Sequence, residues 1–207
     1  MSGEFDEAYW EDRYRDHAGP GAGHPNPQLA AEVAGLAPGT ALEAGCGEGA
    51  DAVWLAARGW RVDAVDISPT ALDRARARAE AVGADLAARV AWTRADLANW
   101  TPNREYDLVC TGYVHTPGSP LDLYARLAAA VAPGGTLLIV GHHPADHHSH
   151  GAHGATHQVH VTPEQVAAAL DPARWDVVVA ETRQRAVVGH GGEIMLHDTV
   201  VRARRRA

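Results

Sequence analysis

The sequence predicts a single α/β domain of the doubly wound, Rossmann-like type. Its seven-stranded sheet is mostly parallel, with a C-terminal antiparallel strand. Three observations lead there. From residue 40 onward, short continuous apolar runs alternate with segments of helical periodicity, the pattern of parallel strands buried on both faces. The first apolar run passes through three alternating glycines straight into a helix. The last two apolar runs have no clear helix between them, so they pair antiparallel at one edge. A chain of 207 residues, 46% of them hydrophobic, suits one domain with a substantial core.

The elements follow in order. Thr40–Ala44 reads as a short buried strand, and Asp51–Arg58 as a helix with Val53, Trp54 and Ala57 on one face. Arg61–Val65 is a second strand. Ser68 caps the helix Pro69–Val82, because a serine oxygen accepts from an orphan N–H and proline suits the first turn. Leu72, Ala75, Ala79 and Val82 recur at helical spacing on that segment. Val90–Thr93 and Tyr106–Cys110 are the third and fourth strands. The helix Leu121–Val131 is stopped by Pro133, Gly134 and Gly135. Thr136–Val140 is a wholly apolar fifth strand, and Thr162–Leu170 is a helix opening on threonine and proline. Trp175–Ala180 and Met195–Arg202 close the sheet. Residues 1–30 and 141–161 stand outside the alternation. We read 1–30 as an N-terminal arm or lid and 31–207 as the domain proper, since segments of this kind carry function disproportionately.

Charge and composition exclude several classes. A formal net charge of −8 argues against a nucleic-acid partner, and the arginine-rich end Arg202–Arg206 reads as a solvated terminus. Every basic side chain other than histidine is arginine. A chain without lysine forms no Schiff base with pyridoxal phosphate and has no phosphate-binding Walker loop. No apolar run reaches the length that spans a bilayer. Met1–Trp10 is acidic and aromatic, unlike a secretory signal. Two cysteines, Cys46 and Cys110, are too few for a disulfide framework and read as free thiols, so the expected compartment is the cytoplasm.

The densest chemistry lies in Leu42-Glu43-Ala44-Gly45-Cys46-Gly47-Glu48-Gly49-Ala50-Asp51. Glycines let the backbone turn sharply and let a ligand approach, and the helix N-terminus offers free N–H donors. The spacing also fits the dinucleotide fingerprint. Glu43 separates the two readings: a carboxylate inside an apolar strand repels a pyrophosphate but can meet a cationic ligand group. Asp66 ends the second strand, 23 residues after Glu43, where it can bind two ribose hydroxyls. Asp96 follows the third strand.

Together these residues resemble the cofactor motifs of class I S-adenosylmethionine-dependent methyltransferases, over about Asp6 to Arg204. Val131-Ala132-Pro133-Gly134-Gly135-Thr136-Leu137 looks like that family's turn into strand five, and Tyr9-Trp10-Glu11-Asp12-Arg13-Tyr14 resembles the opening of its tellurite-resistance and thiopurine types. The resemblance implies that Glu43, Gly45, Cys46, Gly47 and Gly49 line the methionine part of S-adenosyl-L-methionine. It implies that Asp66 and Ile67 hold the ribose, Asp96 and Leu97 meet the adenine, and Trp10 and Tyr14 cover the cofactor. Glu43 stands where aspartate is commoner.

The acceptor belongs above the carboxyl ends of the strands, where Thr111–Pro117, Gly141–His160 and the arm converge. There Tyr113, His115 and His143 are the candidate catalytic residues, with His115 first as a base because its ordinary pKa lies near neutrality. Eight of the 13 histidines fall between His142 and His160: His142, His143, His147, His148, His150, His153, His157 and His160. Imidazoles bind metals, but no glutamate lies in the run and its glycines oppose a fixed geometry, so we assign no metal. The expected function is methyl transfer from S-adenosyl-L-methionine to a small-molecule acceptor through O, N, S or a metalloid, in a monomer or homodimer without nucleic-acid or membrane partners. The alternatives are a nicotinamide-dependent reductase, whose usual tyrosine–lysine pair this lysine-free chain cannot supply, and a non-catalytic cofactor-binding or metal-responsive protein.

Overall fold

In the computed structural model of the chain, residues 5–16, 23–145, 159–189 and 192–207 are described. Seven strands form one sheet. They are β1 (Thr40–Ala44), β2 (Arg61–Asp66), β3 (Val90–Arg94), β4 (Tyr106–Gly112), β5 (Val131–His142), β6 (Trp175–Gly189) and β7 (Gly192–Arg205), in the order β3-β2-β1-β4-β5-β7-β6. β1 to β5 run parallel, and β7 runs antiparallel to both β5 and β6. The order reverses between β1 and β4, so a crevice opens above their carboxyl ends.

The helices are α1 (Glu7–Asp16), α2 (Pro27–Val33), α3 (Ala50–Ala57), α4 (Pro69–Val82), α5 (Ala84–Ala87), α6 (Pro120–Ala129) and α7 (Pro163–Ala168). Successive strand residues feed opposite faces. Leu42, Ala44, Val109, Leu137 and Ile139 join α6 and α7 in one core, while Ala41, Val62, Leu108, Leu138 and Val140 join α2, α3 and α4 in the other. Local signals set the helix starts. Ser68 Oγ accepts from Ala71 N at α4, and Thr162 and Gln165 form a capping box at α7.

Several expected boundaries and faces differ. In α3 the chain buries Ala52, Leu55 and Ala56 rather than the Val53, Trp54 and Ala57 face, because Leu55 is the large residue that fills the core. Trp54 instead lies under the Arg58 guanidinium, 3.6 Å from its ring centroid. Val82 is 60% exposed at the end of α4, although Leu72, Ala75 and Ala79 are buried as expected. β5 begins at Val131, with a register shift near Tyr106 that accommodates Pro133 to Gly135. β6 and β7 continue well beyond the apolar runs into one long antiparallel hairpin. Polar and charged residues from Glu181 to Arg185 interrupt the apolar run of β6, so apolar continuity ceases to mark the strand.

α2 ties this hairpin down. Buried Asp198 accepts from Arg185 Nε at 2.9 Å and from Gln28 Nε2 at 3.2 Å. Glu32 pairs with Arg183 at 2.6 Å and Arg202 at 3.2 Å. Among the described residues no helix is long and apolar enough to cross a membrane.

Candidate functional site

At the end of β1 the chain turns through Gly45, Gly47 and Gly49, all with left-handed φ of 78°, 51° and 75°. Each also lacks room for a side chain. A Cβ on Gly45 would collide with Val114, one on Gly47 would lie 2.8 Å from the Tyr14 hydroxyl, and one on Gly49 would lie 2.7 Å from both Ala75 and Trp92. The amides of Gly45 and Cys46 donate to Val65 O at 2.8 and 3.0 Å, fastening the turn to β2. The Cys46 thiol is buried, and desolvation pushes it well above its ordinary pKa, so it packs as a neutral group.

Three carboxyl groups surround this turn. Asp66 accepts from Gly47 N at 2.8 Å through one oxygen and from Ser68 N at 2.9 Å through the other. Burial raises its pKa, and the N–H bonds work against that rise. Glu43 is 4% exposed, and its Oε2 has no hydrogen-bond partner. Burial drives its pKa far up, with the charges of Asp51 and Asp66 adding to the effect. Asp51, in the first turn of α3, accepts from Asn26 N at 2.6 Å and is pushed up to about 6 by burial. Asn26 in turn caps α2. None of the three carboxyls forms an ion pair among the described residues.

The arm reaches the same turn. Glu11 of α1 is buried and accepts from Ser68 Oγ at 2.6 Å and from Thr70 N at 3.2 Å. Burial raises its pKa, but the bonds from Ser68 and Thr70 outweigh that and leave it lowered. Ser68 therefore links Glu11 to Asp66. Tyr14 sits over Gly47. Trp10 points to the other side, where its ring stacks on His115 at 6.3 Å and 11°.

That other side is a recess of about 410 Å³ at the carboxyl ends of β4 and β5. Tyr113, His115, His142 and His160 contribute its polar wall. Tyr113 follows β4 with a left-handed φ of 53°. The Arg185 guanidinium lies 4.9 Å from its ring centroid. Burial lowers His115 to about 4, aided by the fields of His160 and Arg13.

The predicted residues thus divide. Glu43, Gly45, Cys46, Gly47, Gly49, Asp66 and Tyr14 gather at the turn, with half-buried Ile67 following Asp66. Asp96 begins the turn after β3, where its oxygens accept from Ala98 N and Asn99 Nδ2, both at 2.9 Å. Leu97 beside it is 5% exposed in the core. Tyr113 and His115 line the recess, but His143 does not. Its ring lies 6.4 Å from His197, because alternation along β5 sends neighbouring side chains to opposite faces; His142 occupies the recess wall. His24 is exposed. His147, His148, His150, His153 and His157 lie outside the described residues, and among the described ones no group of three or more His, Cys, Asp or Glu is placed to hold a metal. Sequence reasoning passed over Phe5, Glu11 and Asp51. Only Asp51 carried a signal, as an acid in the first turn of the helix that follows the glycines.

Residues 41–135 match the family model of a methyltransferase domain. A curated trans-aconitate 2-methyltransferase from Methylobacterium radiotolerans is 36% identical over 118 residues, 56% of this chain and 42% of that protein, so the match spans less than half of the relative's length. Among solved structures, one reported for conversion of a disulfide bond into a thioacetal group during echinomycin biosynthesis is 24% identical, covering 97% of this chain and 93% of that one, with a TM-score of 0.74. The N-methyltransferase NodS from Bradyrhizobium japonicum WM9, in complex with S-adenosyl-L-homocysteine, is 19% identical over 98% of this chain and 100% of that one, with a TM-score of 0.68. TehB from Haemophilus influenzae is 14% identical over 97% of this chain and 67% of that one, with a TM-score of 0.67. At such identities these structures show a shared fold.

Proposed function

From a chain that folds as a class I S-adenosylmethionine-dependent methyltransferase and carries the methyltransferase domain over residues 41–135, we propose that it methylates a small-molecule acceptor. The observation that carries this reading is the trio of carboxyls at the glycine turn. Glu43, Asp51 and Asp66 lie together without a balancing cation among the described residues, and Glu43 Oε2 is buried without a partner. Such an arrangement is costly until a positively charged group satisfies it. The cationic methionine end of S-adenosylmethionine fits that need, and a pyrophosphate would worsen the repulsion.

When bound, the cofactor supplies an electrophilic methyl group. The protein's own contribution is alignment and exclusion of water. Asp66, held by Gly47 and Ser68, receives the ribose hydroxyls, and Asp96 with Leu97 borders the adenine. Tyr14 covers the glycine turn, and Trp10 closes the space between turn and recess. His115, neutral at physiological pH, stands at the acceptor and accepts or donates a single hydrogen bond. Trans-aconitate, the acid in the curated relative's name, would bring several carboxylates into a recess whose described lining residues include no arginine, so it is not the acceptor we adopt.

Isothermal titration of the full chain with S-adenosylmethionine, NADH and divalent metal ions tests the reading. Saturable binding of S-adenosylmethionine without a comparable NADH signal is expected. Tight NADH binding with no S-adenosylmethionine signal would overturn it.

A further inference from the structure

The recess differs from the cofactor turn in its electrostatics. No aspartate, glutamate or arginine is among its described lining residues, and the chain has no lysine. Residues 146–158, which follow β5 in sequence, include neither arginine nor lysine. The nearby cations are engaged or outside. Arg185 is paired with Asp198 at 2.9 Å, and Arg13 is exposed on α1 and absent from the described lining residues.

Flat rings dominate what remains. His115 and His142 are parallel within 5° at a centroid distance of 5.6 Å. Trp10, outside the described lining residues, lies within 11° of His115, and the lining residue Phe5 lies within 28° of it at 5.5 Å. Aligned aromatic faces favour offset stacking with another flat ring, and the His115 imidazole, held neutral by burial, can offer a hydrogen bond without a charge. An anionic acceptor would lose its hydration here with no arginine or lysine in the described lining to replace it. A volume of about 410 Å³ lies toward the small end of ligand pockets, which run roughly 300–1,000 Å³.

We propose that the acceptor is a small, uncharged aromatic or heteroaromatic molecule that lies flat against His115 and His142; this rests on the methyl-transfer reading above. In that pose a lone pair on the acceptor's nucleophilic atom forms the new bond to the methyl carbon. The carbon–sulfur bond breaks toward sulfur, which loses its positive charge, and a proton carried by the nucleophile passes to the His115 imidazole or to water.

Binding reads this without turnover. The full chain saturated with S-adenosyl-L-homocysteine is titrated with 2-naphthol, quinoline and thiophenol as ring probes. Cyclohexanol serves as a non-aromatic probe and citrate as a tricarboxylate. At least one ring probe should bind about tenfold or more tightly than both cyclohexanol and citrate. The preference should collapse in His142→Ala and, independently, in Trp10→Leu. Citrate binding as tightly as the rings, or rings binding no better than cyclohexanol, overturns the proposal while leaving methyl transfer standing. Failure of S-adenosyl-L-homocysteine itself to bind takes down both.

Discussion

Asp66 shows how one side chain serves the fold and the ligand together. Its oxygens each take one backbone N–H, from Gly47 and Ser68, which fixes the carboxylate while leaving lone pairs for hydroxyl donors. Asp66→Ala should weaken S-adenosylmethionine binding by about 1–3 kcal/mol, the scale of hydrogen bonds to a charged group; unchanged affinity in a titration would remove the ribose assignment. Protonation gives a second prediction. Asp51 sits at about 6 and Glu43 and Asp66 are also raised, so between the ordinary carboxylate range and about pH 6 the folded chain holds more protons than the unfolded one. Stability of the free protein should therefore fall as pH rises through that window. Cofactor binding has the opposite sign, since a cation needs the carboxylates ionised. Affinity should weaken as pH is lowered through about 6, and Asp51→Asn should flatten that limb when titrations are repeated from pH 8 to 5. His115, at about 4, stays neutral over that range and adds no limb of its own.

At the scale of an element, α1 is the part that spans both halves of the site. Its Glu11 is bonded to Ser68 and Thr70 at the start of α4, Tyr14 covers Gly47, and Trp10 stacks on His115. Trp10 and Tyr14, four residues apart, share one face of the helix with their rings 6.4 Å apart, while Glu11, the next residue after Trp10, points about 100° away from it. Glu11→Ala should cost about 1.5–3 kcal/mol of docking, the worth of charge-assisted bonds. Amide exchange over Glu7–Asp16 should accelerate and S-adenosylmethionine affinity should drop with it. Equal exchange rates in variant and parent would show that Glu11 does not hold the helix. The sequence revealed the aromatic residues of this segment but not Glu11, whose partners lie 57 and 59 residues away. The same limit applies to β5: the histidine pair at its end was legible, but which of the two faces the recess depended on strand register.

At the scale of the molecule, the long β6–β7 hairpin is fastened to α2 through buried charges, and its Arg185 backs the Tyr113 ring at the recess. Asp198 is 0% exposed and holds both Arg185 and Gln28. Removing one partner of a buried pair strands the other, at a cost of about 3–5 kcal/mol. Asp198→Ala should therefore lower the melting temperature by on the order of 10 °C for a domain of this size. A melting temperature within a degree or two of the parent would show that the network is ornamental.

The sequence by itself determined the layered sheet, the antiparallel strand pair at its edge and the glycine turn with Glu43 and Asp66. Those features are written locally, in apolar runs, helical spacing and residues adjacent along the chain. Tertiary structure alone decided that Asp51 and Glu11 join the turn, that His142 rather than His143 reaches the recess, that Leu55 sets the buried face of α3, and that the hairpin extends to Gly189 and Gly192. Each of these depends on what a side chain meets across the fold. Such contacts form between residues far apart in sequence, and their energies of burial and charge pairing override the local pattern.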